Sequence, residues 1–159
     1  MYDRREAILA QLEVILGSLP ADVAPFAAVY RNRGELKETL RPAVVLLDGT
    51  ETTVKDFPSN RGGRMAPHLI ELRPQVFAVM KKRELDKVSE YGPELSSYRM
   101  AILRALFSDG TLNGLIGTNG RIAYRGALTD MQTGSTLQGE LQLNLAITYL
   151  LQPGDLGIS

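Results

Sequence analysis

With one histidine and no cysteine, this chain of 159 residues has few side chains that could make or break bonds. His68 would be the general base or the metal ligand of any such chemistry. A serine nucleophile needs the sharp G-x-S-x-G turn, and that pattern is absent. A zinc site needs three or four ligands from one neighbourhood, and the chain has no Cys and no second His. His68 therefore reads as an ordinary histidine opening a strand after Ala66-Pro67. Gly110 to Gly120 is glycine-rich, but it has no lysine and follows a helix instead of a strand, so it reads as a helix stop and not a phosphate loop. Asp130 and Glu140 flank the last hairpin and could approach each other as an acid–base pair, although charges at hairpin ends are usually solvated. Asp48 and Glu51 read as turn residues, and no calcium-loop spacing occurs. An enzyme of an unfamiliar kind would need a deep pocket gathering His68, Asp48 or Glu71. These residues imply no catalytic group, cofactor or metal.

Composition narrows the classes further. Eighteen Lys and Arg balance eighteen Asp and Glu, which argues against a nucleic-acid clamp with its basic face. The absence of cysteine excludes a disulfide framework. No apolar run approaches the roughly 18 residues of a membrane span. The opening Met1-Tyr2-Asp3-Arg4-Arg5-Glu6 has no apolar signal region, so the expectation is a protein made in a cytoplasm. Apolar content of 44% with 23% charged residues is that of a globular chain, and the length suits one domain, 1–159.

The elements that must position these side chains follow from hydrophobic periodicity. Ile8, Leu9, Leu12, Ile15, Leu16 and Leu19 form the stripe of a helix over 3–18, with Asp3 and Glu6 as a capping box. Residues 28–33 read as a short strand, and Ala43–Leu47 as a strand covered on both faces, closed by an Asp48-Gly49 turn. Residues 50–66 offer little to a core and read as a long exposed arm. Alternation resumes in 68–80, where Pro74 demands an edge position or a bulge. A second helix opens at Gly92-Pro93-Glu94 and buries Leu95, Tyr98, Ile102, Leu106 and Phe107; Asp109-Gly110 ends it, leaving room for one further short turn. A fourth strand sets Ile122, Tyr124 and Leu128 against Arg121, Ala123 and Arg125. The fifth sets Leu141, Leu143, Leu145, Ile147 and Tyr149 against Glu140, Gln142, Asn144 and Thr148. Residues 153–159 read as a tail, mobile alone or docked on a partner. The expected fold is α+β: a mostly antiparallel sheet of four to five strands with two helices on one face.

The arm carries Lys55, Arg61 and Arg64 beside Phe57, Pro58 and Met65. Apolar groups amid charge suit a protein partner, and Arg31 and Arg33 could join such an interface. The polar parity of the last strand, Glu140, Gln142 and Asn144, could face a channel or a partner.

The order of motifs along nearly the whole chain resembles one family. The motifs are Tyr2-Asp3-Arg4-Arg5-Glu6-Ala7-Ile8-Leu9, Val29-Tyr30-Arg31-Asn32-Arg33, Arg41-Pro42 through Asp48-Gly49-Thr50-Glu51, Leu72-Arg73-Pro74-Gln75-Val76-Phe77, Tyr91-Gly92-Pro93-Glu94-Leu95 and Leu141-Gln142-Leu143-Asn144-Leu145. Together they resemble the tail terminator proteins of long-tailed bacteriophages and prophage-like particles. The resemblance implies a non-enzymatic virion subunit, assembled in the host cytoplasm, that forms a hexameric ring. It implies as partners a second copy of itself, the tail-tube protein and a head-completion or connector protein. DNA would pass the channel without specific binding, and no membrane is involved. A head-closure protein of the neck and a monomeric binding module remain the alternatives.

Overall fold

Why the chain folds as it does is clearest at Pro74, in the middle of the third strand. The computed structural model describes residues 2–22, 24, 26, 28–56, 66–81, 83–84, 91–132 and 136–157. In it α1 (Arg4–Gly17) precedes β1 (Val29–Arg31), β2 (Ala43–Asp56), β3 (His68–Val79) and β4 (Arg83–Glu84). Then follow α2 (Tyr91–Ser108), α3 (Gly110–Ile116), β5 (Arg121–Gln132) and β6 (Thr136–Leu151). The main sheet runs β1-β2-β3-β6-β5, and two-residue β4 pairs with the start of β6. Every neighbouring pair is antiparallel except β1 with β2. The class is α+β, as the periodicity predicts.

Pro74 sits in an interior strand, flanked by β2 and β6, and not at an edge. A proline there has no N–H to give the ladder. Both neighbours depart from regular pairing there: the β6 register skips Arg73 and Pro74, and β2 takes an extra residue. Leu47 pairs with Gln75 and Thr50 with Arg73, so Asp48 and Gly49 together oppose Pro74 in a β-bulge. The expected Asp48-Gly49 chain reversal is therefore a bulge inside one long strand. Gly49 has φ +74°, and a Cβ on it would lie 1.8 Å from the Arg73 carbonyl oxygen. Only glycine fits.

The extra residue also inverts the alternation. Before it, Val44 and Leu46 face the helices; after it, Glu51 and Thr53 stand opposite Leu72 and Ile70 on that same side. The arm thus begins as strand, Thr50–Asp56 paired with His68–Arg73, with residues 50–55 exposed. Its remainder through 65 lies outside the described residues.

All three helices cover one face. Ile8, Leu9, Leu12, Ile15 and Leu16 of α1 pack with Leu95, Tyr98, Ile102 and Leu106 of α2 on Ile70, Leu72, Val76, Leu141, Leu143, Leu145 and Ile147. Burying each such side chain contributes about 1.5–3 kcal/mol. Phe107, expected on the inner stripe of α2, is 41% exposed. The third helix exceeds the one short turn expected after α2. Asp109 accepts from the Leu112 amide at 2.8 Å and starts a new helix, which buries Leu112 and Ile116. On the opposite face Leu36, Ala43, Val45 and Val79 form a smaller core beneath the 32–42 loop.

Two further expectations change. A bulge in β5 at Arg125-Gly126, where Gly126 has φ +111°, separates Tyr124 from Leu128 and leaves Leu128 58% exposed on the far face. The tail is not loose over 153–157. Pro153–Leu156 form a 3-10 turn whose Asp155 is buried against Arg4, and the Tyr2 amide donates to the Asp155 carbonyl at 2.6 Å.

Gly49→Ala is expected to lower unfolding stability by at least about 2 kcal/mol, because both the φ and the clash oppose it. Gly34→Ala, with open space around it, should change stability by no more than about 0.5 kcal/mol. Urea denaturation of the two variants checks this.

Candidate functional surface

The bulge aims Asp48 at a cationic hub. Arg31, at the end of β1, donates from Nε and Nη2 to the two Asp48 oxygens at 2.7 and 2.9 Å. Its Nη1 and Nη2 donate to the two Glu6 oxygens at 2.6 and 2.8 Å, and Glu13 stands 3.6 Å from Nε. One guanidinium thus ties α1 to β1 and β2. Asn32, at φ +57°, seats the hub by accepting from the Asp48 amide at 3.0 Å. Glu6 is drawn to Arg31, so the capping box expected at α1 reduces to Asp3, which accepts from the Glu6 amide. Hydrogen bonding to Arg31 holds both the Glu6 and Asp48 carboxyls below their ordinary range, and the same two partners raise Arg31. Arg31 thereby joins α1, β1 and β2 within the subunit.

The other residues singled out in the sequence fall in three places. Arg33 stacks over the Tyr30 ring at 4.7 Å, and Lys55 lies on the exposed part of β2. Phe57, Arg61, Arg64 and Met65 lie outside the described residues. Glu140, Gln142 and Asn144 line the helix-free face of β6. There the Asn144 Oδ1 accepts from Gln75 Nε2 at 3.1 Å and from Gln142 Nε2 at 2.9 Å. Asp130 and Glu140 are register partners across β5 and β6. His68 begins β3 between Asp56 and Leu151, far in the sheet from Asp48.

Two open hollows mark the helix-free face. One, of about 450 Å³, lies over the Gly49 bulge between Arg73 and Arg125. The other, of about 460 Å³, lies between the 33–36 loop and Phe77, with Arg33 and Arg41 beside Glu35 and Glu140. Neither gathers His68 with a carboxylate. Among the described residues no three His, Asp or Glu side chains are placed to hold a metal ion, and no helix is long and apolar enough to cross a membrane. A third hollow, about 280 Å³, sits at the start of α1, where the Tyr149 hydroxyl donates to Glu51. Burial first, and then Glu51, push the Tyr149 hydroxyl above its ordinary range. The Tyr149–Glu51 hydrogen bond joins β6 to β2 across β3.

What the surface does offer is unpaired sheet. β1 flanks β2 only at Val44–Leu46, and β5 pairs only with β6, so both sides of the sheet carry a free strand edge among the described residues. No local pattern marks the Arg31 hub, since its hydrogen-bond partners lie 25 and 17 residues away. No protein-family model matches the chain, and no curated protein sequence does.

Arg31→Met keeps the aliphatic stem and removes the fork. It strands Asp48, whose side chain is only 18% exposed, and is expected to cost about 2–4 kcal/mol. The folded carboxylates are held low, so their contribution is complete above the unfolded-chain values near pH ~4 and is lost as pH falls through the lower folded values. Acid unfolding followed by circular dichroism should therefore show a stability loss below pH ~4 that is shallower in Arg31→Met.

Proposed function

We propose that this chain is the ring-forming subunit that caps the head-proximal end of a phage tail tube, ends tube elongation and presents the docking face for head-completion proteins. The observation that carries an assembly role is the outer edge of β2. Thr50–Lys55 are exposed although Ile70 and Leu72 opposite them are buried, and among the described residues no strand lies on their outer side. The tail-end role itself rests on the order of motifs along the chain.

The physics of the role is consistent with the parts at hand. A head-to-tail contact makes a closed ring when its rotation divides the circle and a filament when it does not. A cap must accept the last tube ring on one face and withhold a growth surface on the other. A channel that passes DNA should not grip it, and the balanced charge of 18 against 18 suits that. The helix-free face sets the tied amides of Gln75, Gln142 and Asn144 beside Arg73 and Arg125, with Glu35 and Glu140 near Arg33 and Arg41.

Inactivating the gene in the phage or prophage that carries it is expected to leave filled heads unattached and tails of abnormal length, read by electron microscopy. Tails of normal length beside empty or leaking heads would favour the head-closure reading, and normal particles would contradict any neck role.

A further inference from the structure

We infer that copies of this chain join edge to edge, the free edge of β2 at Thr50–Asp56 on one copy adding to the free edge of β5 on the next. The inference names the contact surfaces of the proposed ring and rests on that reading only for the number of copies.

Three observations carry it. First, the edges exist and are long. β1 shields β2 over three residues, and residues 47–56 have no strand beside them on that side among the described residues. β5 runs twelve residues with β6 on one side only. Their outward backbone N–H and C=O groups satisfy their hydrogen bonding in water or in an added strand.

Second, the edges are only partly guarded: β2 has Lys55 and a second register shift between Thr53 and Lys55, but Thr50–Thr53 before it stay regular. Natural edges are blunted by shortness, lysine, proline or bulges. The three-residue β1 is short enough to need none. β5 has no proline and no lysine, and its one bulge leaves 127–132 regular, with Leu128 58% exposed. In β2 the residues Thr50, Thr52, Thr53 and Val54 are β-branched, the types that favour strands, and Val54 is 54% exposed. Such a run has no core to serve in the isolated subunit.

Third, the polarities match. β2 is antiparallel to β3, β3 to β6 and β6 to β5, so β2 and β5 run in opposite directions at opposite sides of the sheet. A neighbour placed by rotation about an axis along the strands brings its β5 against β2 antiparallel, so the sheet continues unbroken. The two edges differ, which makes the contact heterologous and repeatable around a circle. Pairing β5 with β5 would give only a two-fold dimer and leave the β2 edges open.

The cysteine-free chain makes the test direct. Full-length chains with Thr53→Cys are mixed with chains carrying one cysteine at Ile122, Tyr124, Ala127, Leu128 or Thr129 in turn. Mild oxidation is followed by denaturing mass analysis. The expected result is a mixed dimer, formed in preference to either like-with-like dimer, at those β5 positions that face Thr53. A chain combining Thr53→Cys with the best β5 position should then shift from 17.4 kDa to a ladder of its multiples. Like-with-like dimers only, no cross-link at any β5 position, or a monomer at millimolar concentration would overturn the inference. The two readings fail separately: tails altered by gene loss without these cross-links leave the cap standing on other surfaces. Cross-linked rings from a gene whose loss leaves tails normal keep the edges and remove the cap.

Discussion

A proline in the middle of an interior strand is the constraint around which this fold is arranged. Pro74 has no N–H to give a neighbouring strand; the register with β6 skips Arg73 and Pro74, and β2 opposes Pro74 with two residues, Asp48 and Gly49. Gly49 is required because its Cα faces the Arg73 carbonyl at positive φ. The bulge delivers Asp48 to Arg31, and through Arg31 to Glu6 on α1, so a backbone irregularity becomes the junction of a helix and two strands. It also reverses which residues of β2 face the helices. The segment beyond it is freed from the core pattern and continues as polar, exposed strand.

Much of this was legible in the sequence wherever one period held over a whole element. The α1 stripe from Ile8 to Leu16 and the β6 alternation from Leu141 to Tyr149 are buried as their spacing predicts. Pro74 announced a bulge correctly, yet the bulge lies in its partner strand, and Asp48-Gly49 imitated a turn. Bulges defeat period counting because one extra residue swaps the faces. The same cause hid the fate of Leu128, and the β-branched run Thr50–Val54 was the signal that could have extended β2. The third helix was half visible, since Asp109 and Gly110 stop one helix and start another with the same residues.

The surface was less legible than the core. Arg31 and Arg33 looked alike as candidate interface cations, but one is clamped by three carboxylates and the other lies over Tyr30. Such assignments depend on contacts distant in sequence, which no local pattern records. Glu140, Gln142 and Asn144 were rightly placed on the polar side of β6 by alternation alone. What that side meets is a question about neighbours, and it carries an amide network with Arg73 and Arg125 beside it.

The central claim is that the chain works as several copies gathered at one end of a polymer. Electron microscopy of intact particles, with the chain marked by a gold-labelled antibody, tests it most directly. The account predicts a single focus of label where the tail tube meets the head. Label scattered along the tube, or absent from particles while the chain is abundant in solution, would contradict it.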